Sequence, residues 1–167
     1  MTLKKYLQDF TTNPIQLFVF YIIVNLLPNI GLVFTEPFNL LGKIILLVFP
    51  LGLYFCIFTL SKNTGLIQLL LIPLLVIHAF QIVVFYLFGE DVIAVDMFLN
   101  VVTTSVTEAG EVLNVILASV VFVVIIYIPT IVLAIRAGNK HLYLSSTIRR
   151  KIFFSGIALI IISYILS

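Results

Sequence analysis

Asp96, Asn100, Thr104 and Glu108 recur every four residues within the stretch 89–111, GEDVIAVDMFLNVVTTSVTEAGE. A step of four keeps side chains on one face of a helix. These four would therefore form a polar stripe, with Val95, Phe98, Val102 and Val106 on another side. A carboxylate, an amide and a hydroxyl in one line could hold an ammonium-bearing group by charge and hydrogen bonds, without any catalysis of their own. The stripe could equally be the solvated face of a helix lying on a membrane, because charged stripes on amphipathic helices are ordinary. Spacing alone leaves both readings open. The β-branched cluster at 101–106 lowers helix propensity, so packing against protein or lipid must supply what local preference does not.

Few other residues carry chemistry. His78 lies deep in an apolar run, and an intramembrane ionisable group is by default a functional suspect. No carboxylate occurs within the apolar runs, so a neutral imidazole hydrogen-bonded to a neighbouring helix is expected, with Asn25, Gln68 and Gln81 as further inter-helix contacts. His78 and His141 fall at opposite ends of the topology derived below, too far apart to share a metal. No metal ligand set, catalytic nucleophile or cofactor site can be assigned in this chain. The single cysteine, Cys56, reads as a small buried hydrophobe. Nucleic-acid binding has no support.

The elements that position these residues follow from composition. Of 167 residues, 62% are hydrophobic and 10% charged, far from the balance of a soluble domain. At about 20 residues per crossing the apolar residues suffice for about five spans. Apolar runs bounded by Gly, Pro, Asn and charge place them near 15–34, 44–60, 66–88, 112–135 and 152–167. The expected fold is an all-α bundle of five transmembrane helices, with the amphipathic segment 89–111 between the third and fourth. Pro28, Pro50, Pro73 and Pro129 fall in or near spans, where they should bend helices whose freed carbonyls neighbours satisfy.

Lys4, Lys5, Lys62, Arg136, Lys140, Arg149, Arg150 and Lys151 fall on one side of this topology, and Lys43 alone on the other. That asymmetry places the N-terminus in the cytoplasm and the C-terminus outside. The cluster Arg149-Arg150-Lys151 could also hold anionic lipid, although its role in setting topology is sufficient reason for it. The first apolar run is too long for a cleavable signal peptide. The last is about 16 residues, roughly 24 Å of helix against a core of roughly 30 Å. The expectation is a chain cut before a further domain outside the cytoplasm.

The segment DMFLN followed by VVTTSVTEA, placed directly after the third of five spans, resembles the N-terminal membrane domain of bacterial phosphoethanolamine transferases of the lipid A and colistin-resistance type. The resembling residues are Asp96-Met97, Asn100, Thr104 and Glu108. The resemblance implies an inner-membrane enzyme that moves phosphoethanolamine from phosphatidylethanolamine to lipid A or another cell-envelope glycan. It implies that Asn100, Thr104 and Glu108 line the site for the donor lipid's head group. It also implies a separate sulfatase-like catalytic domain with zinc and a threonine nucleophile, none of which lies in this chain. Leu99, Thr107 and Gly110 depart from the family pattern and leave the acceptor open. The alternative is a small transporter-like or non-enzymatic membrane subunit, for which polar or broken helices near the midplane and an internal repeat are expected.

Reporter fusions at Asn63 and Gly138 should read as cytoplasmic, and fusions at Asn39, Ala94 and Ser167 as external. A cytoplasmic signal at Ala94 would overturn both span count and orientation.

Overall fold

The computed structural model describes the backbone of residues 10–88 and 106–167, and the side chains of residues 10–84 and 117–167. Its helices are α1 (Pro14–Thr35), α2 (Leu40–Phe58), α3 (Thr64–Leu70), α4 (Ile72–Phe88), α5 (Val106–Asn139) and α6 (Ser146–Leu166). Among the described residues there is no strand, only one isolated bridge between Asn63 and Tyr143.

Short polar side chains start four of these helices. Asn13 accepts hydrogen bonds from the Ile15 and Gln16 amides at 2.9 and 3.4 Å, ahead of Pro14 in the first turn of α1. Asn39 accepts from Gly42 at 2.7 Å, Asn63 from Leu66 at 3.3 Å, and Ser145 from Ile148 at 3.4 Å. Each cap satisfies an amide that the helix itself leaves without a partner. Pro14 gives up nothing in the first turn, where its missing N–H would have had no acceptor.

Pro28, Pro50 and Pro129 lie inside helices, and a sharp bend stands beside Pro73. Pro73 separates α3 from α4 at Leu71, and the two pieces meet at 62°. The expected span 66–88 is therefore two helices. Pro50 lies inside α2 and cannot donate to the Leu46 carbonyl one turn earlier. Asn29 of α1 donates its side-chain N–H to that carbonyl at 3.4 Å.

Helices α1, α2 and the Leu117–Asn139 stretch of α5 are long and apolar enough to cross a membrane. A fourth crossing is added if the bent pair α3–α4 counts as one. Among the described residues length and composition thus support three crossings, or up to four, and the expected five are not confirmed. Helix α6 fails because Arg149-Arg150-Lys151 fall in its first two turns. The apolar remainder, 152–166, amounts to about 22 Å of helix, short of a hydrocarbon core of roughly 30 Å.

Helix α1 sits at the centre, packing against α2, α3, α4 and α5, while α6 packs on α2. Leu17, Phe18, Tyr21, Tyr54 and Phe58 form the main buried cluster, with the Tyr21 ring stacked on Phe58 at 6.1 Å. Lipid removes the hydrophobic drive between helices, so close fit must hold them together, and small residues permit it. At the α2–α6 crossing a Cβ on Gly52 would lie 2.9 Å from the Gly156 carbonyl oxygen. One on Gly156 would lie 2.8 Å from the Gly52 oxygen and 2.9 Å from Cys56 Sγ. At the α3–α5 crossing, a Cβ on Gly65 would meet the Ala134 oxygen at 2.6 Å.

Gly156→Val is expected to destabilise the protein by about 1–3 kcal/mol through overpacking. It should also speed the reaction of Cys56 with a thiol reagent as α6 lifts from α2. Gly138→Ala, whose Cβ would meet only Leu66 Cδ2 at 3.7 Å, is the control and should change neither. Equal thermal stability and thiol reactivity in Gly156→Val and the parent would show that the glycine contact is not what joins these helices.

Candidate functional site

Topology separates the protein into two polar ends. The loops after α2 and α5 meet at one of them. The Leu144 amide donates to the Lys62 carbonyl at 2.9 Å, and the Asn63 side-chain N–H donates to the Gly138 carbonyl at 3.4 Å. Lys62 Nζ stands 4.8 Å above the Tyr143 ring, a cation–π contact. Arg149 of α6 reaches the C-terminus of α2, donating from Nε and Nη2 to the Thr59 carbonyl at 3.2 and 2.9 Å. A guanidinium suits that position because the terminal carbonyls of a helix carry partial negative charge.

Helix α5 ends at Asn139, within the expected Gly138-Asn139-Lys140 break. His141 adopts φ 52°, with its amide bonded to the Gly138 carbonyl and the Leu142 amide bonded to the Ala137 carbonyl, both at 3.2 Å. This pair of bonds closes a helix on a left-handed residue, a position glycine usually fills. The His141 side chain compensates by pairing Nδ1 with the Tyr143 hydroxyl at 2.9 Å.

At the opposite end α4 stops at Phe88 and α5 begins at Val106. Asp96, Asn100 and Thr104 lie outside the described residues. Glu108 lies on the backbone of α5, which begins at Val106, six residues ahead of the expected start of the fourth span. Glu111 shares that helix, while the side chains of both lie outside the described residues. Leu117–Asn139 alone is 23 residues, about 34 Å of helix and enough to cross the hydrocarbon. Residues 106–116 therefore extend α5 toward the end where α4 stops at Phe88.

Between the ends lies a buried polar interior. Asn25 of α1 donates to Gln68 Oε1 of α3 at 2.8 Å and to the Tyr21 carbonyl at 2.8 Å. Both side chains are almost wholly buried, at 0% and 1% exposure. Two of the expected inter-helix contacts thus meet each other, while Gln81 is half-buried on α4. His78 Nε2 lies 3.5 Å from the Tyr54 hydroxyl of α2, at the outer limit of a hydrogen bond. His78 Nδ1, Asn25 Oδ1, Gln68 Nε2 and the hydroxyls of Tyr21 and Tyr127 are buried with no partner among the described residues. Composition drew attention to Tyr143 and Tyr164 at span ends, and both are exposed. The buried tyrosines Tyr21, Tyr54 and Tyr127 went unsingled, since nothing in an apolar run distinguishes an inward from a lipid-facing tyrosine.

This interior can bind and orient through neutral hydrogen bonds. It offers no acid–base relay, because the membrane-spanning stretches contain no Asp or Glu to exchange a proton with His78. Among the described residues no three His, Cys, Asp or Glu side chains come together as a metal site.

Replacing Asn25 or Gln68 singly by leucine should cost about 0.5–2 kcal/mol, because each removal leaves a buried amide without its partner. The double replacement should cost less than the sum of the two. Strict additivity in thermal denaturation would mean that the pair contributes nothing jointly.

No protein-family model, curated protein or solved structure matches this chain.

Proposed function

We propose that this chain is the N-terminal membrane domain of a phosphoethanolamine transferase of the bacterial inner membrane, with five crossings, its N-terminus cytoplasmic and its C-terminus periplasmic. It would bind phosphatidylethanolamine as donor lipid and anchor the enzyme. Transfer to lipid A or a related glycan would take place on a zinc-dependent domain outside this chain. The observation that carries the reading is the series Asp96-Met97, Asn100, Thr104 and Glu108. Its setting supports it. In sequence the series runs from the connection between α4 and α5 into the first turn of α5, and Phe88 and Val106 lie at the ends of those helices away from the loops that follow α2 and α5. A carboxylate in that series can pair with an ethanolamine ammonium.

A second reading has an observation in its favour. The break between α3 and α4, with the buried Gln68 one turn before it and His78 beyond, is the kind of discontinuous polar helix that transporters use. A transporter-like or non-enzymatic subunit would use that interior and leave the 96–108 series indifferent.

Glu108→Gln, Thr104→Ala and Asn100→Ala, introduced singly into the complete enzyme and checked for membrane expression, separate the two. Loss of the charge-assisted contact of Glu108 should reduce donor affinity about 10- to 150-fold, corresponding to about 1.5–3 kcal/mol. Thr104 and Asn100, as neutral groups, should each cost about 0.5–1.5 kcal/mol. Glu111→Gln should leave transfer unchanged. Full transfer from phosphatidylethanolamine by all three variants would reduce the series to a solvated helix face and favour the second reading.

A further inference from the structure

At the junction of α2 and α6, Thr59, Ser146, Arg149, Arg150, Phe153 and Phe154 line a cleft of about 570 Å³. We propose that this cleft binds the phosphate of an anionic phospholipid, with the acyl chains running down α6 over Phe153 and Phe154. The site is distinct from the 96–108 series and does not depend on its role.

Three features converge on that occupant. First, the two arginines differ in how they are held. Arg149 is half-buried and fixed by its two bonds to the Thr59 carbonyl, which engage two of the five N–H donors of a guanidinium. Its remaining donors are thereby pre-oriented. Arg150 is exposed and makes no hydrogen bond to the described residues, so it is available to close on a ligand. Two guanidiniums beside the Ser146 hydroxyl match the several acceptor oxygens of a phosphodiester.

Second, the cleft changes polarity along one helix. Arg149 and Arg150 stand one turn before Phe153 and Phe154, which are 36% and 66% exposed. Below them Ile161, Ile162 and Ile165 continue exposed toward the end of α6. A soluble anion would use the arginines and leave the aromatic wall without purpose, whereas a phospholipid uses both. Third, charge selects the class. Lys151 follows directly, and the Leu144–Lys62 backbone bond holds the Lys62 loop beside the start of α6. Among the described residues no acidic side chain lines the cleft to offset them. Juxtamembrane arginines of this kind attract anionic over zwitterionic lipid.

The chain contains no tryptophan, so Phe154→Trp installs a single fluorescent reporter in the cleft wall. The reporter protein is reconstituted in phosphatidylcholine vesicles containing either dibrominated phosphatidylglycerol or dibrominated phosphatidylcholine at equal mole fraction. Bromines quench the indole only on contact. The relative association constant should favour phosphatidylglycerol by about fivefold or more, the factor one surface arginine contributes. Arg150→Gln should abolish most of that preference, and Lys151→Gln, outside the cleft, should keep it. Equal quenching by the two lipids would overturn the proposal. So would an equal loss in Arg150→Gln and Lys151→Gln, which would reduce the effect to diffuse surface charge. Erasure of the preference by millimolar inorganic phosphate in the buffer would assign the cleft to a soluble anion and overturn the lipid occupant.

Discussion

Lipid offers no hydrogen bonds, so a polar group that a membrane-spanning bundle keeps inside is costly unless it finds a partner within the protein. That constraint orders most of what holds this protein together. Pro50 frees the Leu46 carbonyl, and Asn29 of the neighbouring helix supplies the missing donor. The end of α2 leaves the Thr59 carbonyl open, and Arg149 closes it from α6. Asn25 would be costly alone, and Gln68 meets it. Each repair crosses from one helix to another, so satisfying the backbone and assembling the bundle are the same process. Net gains per bond are small in lipid, about 0.6 kcal/mol on average, yet the cost of an unmade bond selects the arrangement.

Close backbone approach is the complement of that rule. The Gly52–Gly156 and Gly65–Ala134 crossings bring helices near enough for dispersion contacts to replace the hydrophobic effect. Helix α6 depends on this most, since α2 is the helix it packs against. A glycine contact in its middle and Arg149 at its start fix its rotation about α2. The same rotation presents Phe154 outward and sets the cleft between the two helices.

Much of this was legible in the sequence where the signal is local. Asn13-Pro14 marks the start of α1, and the four helix caps fall on short polar residues. Pro73 announced a bend. The exceptions all need information from a second element. Leu71 breaks the third apolar run because Pro73 follows within two residues, but hydropathy is continuous across it and carries no sign of a 62° turn. Helix α5 closes at the expected Gly138-Asn139-Lys140 break, but the left-handed residue that closes it is His141 and not a glycine. Residues 106–111 read as the end of a separate amphipathic helix, and the continuity of that backbone with the fourth span was not legible because Glu108 and Glu111 interrupt the apolar run. Arg149 was read through its charge, and its bond to Thr59 depends on a partner 90 positions away. Of the proposed donor site, the sequence supplies the residue series and the structure only the backbone position of Glu108.

The segregation of charge gives the two ends different chemistries. Acidic residues 90, 91, 96, 108 and 111 cluster around the α4–α5 connection, while Lys62, Arg136, Lys140, Arg149, Arg150 and Lys151 surround the opposite loops. Helix α5 is 34 residues long, about 51 Å, so Glu108 and Lys140 are separated by several Debye lengths in physiological salt. Neither end therefore neutralises the other. A zwitterionic lipid offers an ammonium to the acidic end and a phosphate to the basic one. Only the second attraction strengthens when the lipid carries net negative charge. The two proposed lipid contacts thus call for different head groups, and α5, docked midway through Tyr127, Thr130 and Ala134, is the helix that runs from one end of the bundle to the other.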